Sequence, residues 1–213
     1  MVFTSFTLKL IAVITMLIDH IGAALLPQYF FLRIIGRLSF PIYCFLLVEG
    51  FYHTRDIKKY LSRMGLFAIV SEVPFDLAFH DMFWCMEYQN VFFTLFLGLF
   101  MVYLLNRFLH VVAQLFIVSG TCLLAYVIHC DYSYMGILLI LFFYLFRTDR
   151  LLQCASVFLL NATSFSSVQW VGGLALLPIQ LYNGKPGKYR WKYFFYLFYP
   201  VHLFIIYLIK IGV

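Results

Sequence analysis

The sequence predicts an all-α fold, a polytopic integral membrane bundle of about 8–10 transmembrane segments. Three observations predict it. Hydrophobic residues make up 64% of the chain and charged residues only 11%, where a soluble domain carries about a quarter. Apolar runs long enough to cross about 30 Å of hydrocarbon recur with short connections between them. Ionisable residues lie inside those runs, beginning with Asp19 and His20. An acid at the centre of a span costs roughly 2.5–3.5 kcal/mol on insertion scales, so it marks a use. No polar stretch is long enough for a soluble unit, and residues 1–213 read as one transmembrane domain.

The first run, 8–26, is too long for a signal-peptide core and its Asp-His pair too polar. No small-x-small cleavage site follows, so the N-terminus is expected to be retained. The second span, 36–53, carries Arg37 and Glu49, and the third, 61–79, carries Glu72 and Asp76. Spans 91–105, 110–128 and 134–147 follow, and 194–211 closes the chain. Between them 151–182 reads either as one span or as two short ones, 151–161 and 168–182, with a turn near Ala162 to Ser167.

Charge decides orientation. Arg55, Lys58 and Lys59 in the connection 54–60, with Arg63 just beyond, place that connection in the cytoplasm. The connection 80–90 holds Asp81 and Glu87 without Lys or Arg and faces outward. Arg107, Arg147 and Arg150 return to the cytoplasmic side. The loop 183–192 is the most basic stretch of all, and it lies inside only if 151–182 is two short segments. The prediction is therefore nine segments, with the N-terminus inside and the C-terminus outside. Arg33 and Arg37 fall at the outer end against the charge rule, which points to function or pairing.

The net charge of +6 thus serves topology and does not imply nucleic-acid binding. The five cysteines have no paired spacing, so no disulfide framework and no metal is expected. Asn161-Ala-Thr163 fits the glycosylation pattern by chance. No internal repeat supports an inverted-repeat carrier.

On this topology distant polar residues converge at similar outer depth: Asp19, His20, Arg37, Glu72, Asp76, Gln89, Asn90, His129, Asp131 and Gln169. His202 lies near mid-membrane, and Glu49, His53 and Arg55 near the inner face. Neighbours on a helix point about 100° apart, so one of Asp19 and His20 reaches a basic residue such as Arg37 while the other faces a cavity. Glu72 and Asp76, four apart, share a face, and Arg33 or Arg37 is the expected cation between them. Pro41, Pro74 and Pro200 each free a backbone carbonyl close to these groups, as in a wet internal cavity.

Several segments then resemble the TraX family. They are Phe3-Thr-Ser-Phe-Thr-Leu-Lys-Leu-Ile-Ala through Met16-Leu-Ile-Asp-His-Ile-Gly22, Arg33-Ile-Ile-Gly-Arg-Leu-Ser-Phe-Pro-Ile, Ser71-Glu-Val-Pro-Phe-Asp76, Gln89-Asn-Val-Phe-Phe-Thr94, Asp131-Tyr-Ser-Tyr-Met-Gly136 and Phe198-Tyr-Pro-Val-His202. The similarity covers almost the whole chain and is least clear over 150–182. The resemblance implies a multi-pass protein of the bacterial cytoplasmic membrane. It implies an acetyltransferase using acetyl-CoA, with a pilin N-terminus or another surface molecule, such as a glycan, as acceptor.

Acetyl transfer to an amine or hydroxyl needs a base, an oxyanion donor and a phosphate site for CoA. On that reading His20 is the base, and Asp19 orients a neighbour or a protonated acceptor. Arg37, Asn90 or Gln89 stabilises the oxyanion, while Glu72 and Asp76 bind the acceptor ammonium. Arg55, Lys58, Lys185, Lys188 and Arg190 meet the CoA phosphates, and Glu49 and His202 complete the candidate binding residues. Buried acids and histidines also serve proton relays, so a small proton-coupled transporter is one rival. A non-catalytic assembly factor for surface appendages is another.

Overall fold

The structure is a computed structural model and describes residues 1–163, 168–189 and 191–212. Those residues form a helical membrane bundle, with only two isolated β-bridges and no strand among them. Helix α1 spans Ser5–Ala24, its first turn capped by the Thr4 hydroxyl accepting from the Thr7 amide. A tight turn reverses the chain into α2, Phe30–Gly36, which runs back along α1 with Leu32 against Gly22 and Gly36 against Asp19. Hydropathy predicts a connection over 27–35, but from Phe30 on its aromatic and aliphatic residues form this short helix. Helix α3, Ser39–His53, follows almost at once, so Phe30–His53 makes one long apolar segment.

Helix α4, Ile57–His80, starts at an Asp56 cap and ends at Asp81 in the left-handed region, φ 56°. Burial is negligible at Asp56, and the Lys59 backbone amide donating to it holds its carboxyl below the ordinary range. Helices α5 (Val91–Arg107), α6 (Val111–Val127) and α7 (Ser133–Leu145) come next. Helix α5 is capped by Asn90. Fully buried Leu99, Met101, Ile137, Ile140 and Phe143 form the centre of the core between α5 and α7. Helix α6 exposes Leu115, Phe116, Leu123 and Leu124, the outward apolar surface expected of a helix facing lipid. Helix α10, Lys192–Gly212, packs along α4 and ends where Lys210 pairs with Asp81 at 2.8 Å.

The ambiguous stretch resolves into α8, Arg150–Ala162, then a 3-10 helix, Gln169–Ala175, continued by α9, Leu176–Gln180. The span expected over 168–182 is thus not one α-helix. Gly172 and Gly173 lie flush against Asn161, the Arg37 carbonyl and Phe158, and a Cβ at Gly172 would meet Asn161 Oδ1 at 2.6 Å. At 1.5 Å per residue α8 is about 20 Å long, too short to cross alone. The two arms pack on each other, joined by the Gln169 amide donating to Asn161 Oδ1 at 3.0 Å. The turn expected near Ala162 to Ser167 falls mostly outside the described residues.

The hairpin returns the basic loop to the N-terminal end. Phe3 bridges to Tyr182, Ser5 N donates to the Lys185 carbonyl at 2.9 Å, and Arg150 reaches Met1. Lys210 and Asp81 lie at the opposite end of the bundle from Phe3 and the basic loop.

Candidate functional site

At the end away from the basic loop, Asp19 is clamped by two arginines. Arg33 Nη1 lies 2.5 Å from Oδ2 and Arg37 Nη2 lies 3.0 Å from Oδ1. Arg37 Nε also donates to the Arg33 carbonyl at 3.3 Å, which fixes the fork. Gly36 makes the approach feasible, because a Cβ there would lie 2.0 Å from Asp19 Oδ1. The arginines that break the charge rule are thus counter-ions to Asp19. They are not the cation between Glu72 and Asp76, and that expectation is corrected.

His20, one residue on, points elsewhere. Its Nδ1 lies 2.7 Å from His202 Nε2, with ring planes 3° apart and centroids 4.9 Å apart, as in an in-plane hydrogen bond. His202 Nδ1 lies 2.6 Å from the Phe198 carbonyl, which can only accept. His202 therefore carries its proton on Nδ1 and, when neutral, accepts at Nε2. His20 must then donate from Nδ1, which leaves a free lone pair on His20 Nε2. Phe79, Tyr199 and Phe198 pack around the two rings.

His20, Phe79 and Tyr199 line a cavity of about 330 Å³, the histidine cavity, together with Arg33, Arg37, Asp131 and Tyr132, while His202 stands behind His20 outside that wall. Asp131 and Tyr132 come from the 128–132 connection, where His129 and Tyr132 take positive φ, as does Ser133 at the start of α7. Non-glycine residues are held there only when their surroundings over-determine them. Tyr132 stacks on Phe40 at 3.7 Å, and Asp131 accepts from the Tyr88 hydroxyl at 3.1 Å. Burial pushes the Asp131 carboxyl up, against the pull of Tyr88 and Arg37.

A second cavity of about 330 Å³, the basic cavity, lies toward the N-terminal end. Lys9 and Arg63 line it, with Tyr60 and Phe195 beneath their cationic groups. The two cavities share Met16, Tyr43, Val91 and Tyr199, which form the partition between them. Lys9, Met16 and His20 fall within about 40° on one face of α1, so this helix runs the length of the path. That spacing was readable in the sequence, although Lys9 was not singled out there.

The other candidate residues lie elsewhere. Glu72, Asp76 and Asn90 are fully buried but are not in the wall of either cavity. Asn90 Nδ2 donates to the Ala68 carbonyl at 2.8 Å and to the Glu72 carboxylate, and Asp76 Oδ2 accepts from the Cys85 amide at 2.7 Å. These groups fasten the 81–90 loop onto α4. Gln89 pairs through its backbone with the 128–132 connection, and its side chain donates to the Met86 carbonyl at 3.3 Å. Glu49 is tied to Arg147 at 2.7 Å near the N-terminal end. Arg55, Lys58, Lys185 and Lys188 are exposed and line neither cavity; Lys9 and Arg63 take that place instead. Arg190 lies outside the described residues.

The chain is similar in sequence to known proteins. A probable fimbrial assembly protein FimC, serogroup H1, from Dichelobacter nodosus is 31% identical over 229 residues, covering 94% of this chain and 93% of its own. An uncharacterized protein of Rickettsia prowazekii is 38% identical over 66 residues, 31% of this chain and 25% of its own. No solved structure matches. The TraX protein family matches residues 5–210, and the chain belongs to that family.

Proposed function

We propose that this protein is a pilus-related acetyltransferase of the bacterial cytoplasmic membrane, moving an acetyl group from acetyl-CoA to an amine or hydroxyl on a pilin or another surface molecule. One observation carries the reading: a histidine with an unused ring nitrogen, His20, lines a cavity that abuts a second cavity bearing Lys9 and Arg63. A base and a cationic site for phosphates are two of the elements that acetyl transfer from CoA requires.

In this mechanism the phosphates of acetyl-CoA meet Lys9 and Arg63, and the slender pantetheine arm passes the partition of Met16, Tyr43, Val91 and Tyr199. The thioester carbonyl then reaches the histidine cavity. The acceptor nitrogen or oxygen attacks that carbonyl as His20 Nε2 removes its proton. His202, held by the Phe198 carbonyl, keeps the His20 ring in the tautomer a base requires. The Arg33–Arg37 fork beside Asp19 offers N–H groups to the oxyanion. When the C–S bond breaks, the proton on His20 passes to the departing CoA thiolate. The sequence match to a fimbrial assembly protein supports an acceptor on a pilus subunit.

The test is release of free CoA thiol by the purified protein in liposomes. Turnover that disappears in His20→Ala supports the reading, and undiminished turnover in that variant removes His20 as base. A folded protein that neither binds acetyl-CoA nor releases thiol, but retains a pilus subunit, supports a non-catalytic assembly role, the second reading suggested by the relative's name.

A further inference from the structure

We propose that Asp76, His80 and Cys85 form a binding site for a divalent metal of the zinc class, at the junction of α4 and the 81–90 loop. One ligand atom from each residue lies within 4.8 Å of the others. Asp76 and His80 are four apart and share a face of α4. The left-handed residue Asp81 then turns the chain so that Cys85 folds back over that face. The Cys85 amide donates to Asp76 Oδ2 at 2.7 Å, which fixes the carboxylate and leaves Oδ1 without a partner.

Two further observations point to a ligand. Asp76 is 0% exposed, yet its Oδ1 has no hydrogen-bond partner, and the buried His80 Nε2 has none either. Buried polar atoms are nearly always satisfied, so two unpartnered atoms on residues grouped with a free, buried thiol need an explanation. Charge gives the second argument. No described Lys or Arg pairs with Asp76. A carboxylate and a thiolate together balance one divalent cation, which removes the cost of an uncompensated charge in the bundle.

The donor set selects the metal. One carboxylate oxygen, one imidazole nitrogen and one thiolate suit borderline zinc better than the all-oxygen shells of calcium or magnesium. Tetrahedral zinc with bonds of about 2.0–2.3 Å needs ligand atoms about 3.3–3.8 Å apart, so binding draws the three inward by no more than about 1.5 Å. Three protein ligands leave a fourth position for water. His80 also belongs to the wall of the histidine cavity, so the site borders that cavity. Sequence reading missed the site because it sought cysteine pairs, whereas here a single cysteine joins a carboxylate and a histidine.

The experiment is metal analysis and cobalt substitution on full-length protein purified in detergent without chelator. About one zinc per chain, and a thiolate-to-cobalt charge-transfer band after exchange, are expected. Cys85→Ser is expected to abolish that band, and His80→Ala to weaken zinc binding at least tenfold, while Cys130→Ser keeps both. A measurement that needs no variant at the site accompanies these. Zinc should slow maleimide labelling of Cys85 in otherwise native protein, and EDTA should restore it. Labelling indifferent to zinc, or a cobalt band that survives Cys85→Ser, overturns the proposal. So does protein that is folded and takes up no zinc or cobalt.

Discussion

His20 and His202 are 182 residues apart and meet nitrogen to nitrogen at 2.7 Å. Their hydrogen-bond order fixes a free lone pair on His20 Nε2. Replacing His20 by Ala is therefore expected to lower thiol release about 10²–10⁴-fold, the usual worth of a positioned base. His202→Ala leaves the base in place but unoriented and should cost less. Paired kcat values for the two variants in liposomes check the order.

Asp19 pairs with two guanidinium groups. Asp19→Asn leaves them facing each other at the bundle's end and is expected to destabilise by about 2–4 kcal/mol. The figure lies toward the low side because the Arg33 side chain keeps 33% exposure. Equilibrium unfolding in mixed detergent measures it, and Arg33→Gln in the same background should recover part of the loss.

Gly36→Ala tests the same clamp from the other side. Its Cβ has no room beside Asp19, so the carboxylate must shift. Loss of turnover approaching that of Asp19→Asn is the expected result, read in the thiol-release assay against a matched change at the lipid-facing glycine, Gly120→Ala, where nothing lies within 4 Å.

Lys9 and Arg63 line the basic cavity, whereas Arg55, Lys58, Lys185 and Lys188 lie outside it. Arg63→Ala and Lys9→Ala should each raise the KM for acetyl-CoA about tenfold, equivalent to about 1.4 kcal/mol, with kcat little changed. The four exposed cations should change it less than about threefold.

Asn90 caps α5 through the Phe92 amide and also serves Glu72 and Ala68. Asn90→Ala removes a cap worth about 1 kcal/mol and orphans buried groups at about 1–3 kcal/mol, so about 2–4 kcal/mol of stability should go. The loosened 81–90 loop should then show faster maleimide labelling of Cys85.

Much was legible in the sequence. The divergence of Asp19 and His20 followed from helix geometry, and the return of the basic loop to the N-terminal end followed from charge. The helix over Phe30–Gly36 was not legible, because Pro27, Gln28 and Arg33 gave a short segment the look of a loop. Neither was the break at Gly172–Gly173, which exists because another part of the chain lies against it.

The sequence by itself determined that the chain is a helical membrane protein, where most of its helices begin and end, and which family it belongs to. Hydropathy, caps and motifs are properties of adjacent residues, and the backbone in lipid has no alternative to helix. Only the tertiary structure decided which cation Asp19 meets, that His20 finds His202, that Glu72 and Asp76 turn to a loop and not to arginines, and that Cys85 returns to His80. Those outcomes depend on which helix faces meet, and that is set by the packing of the whole bundle.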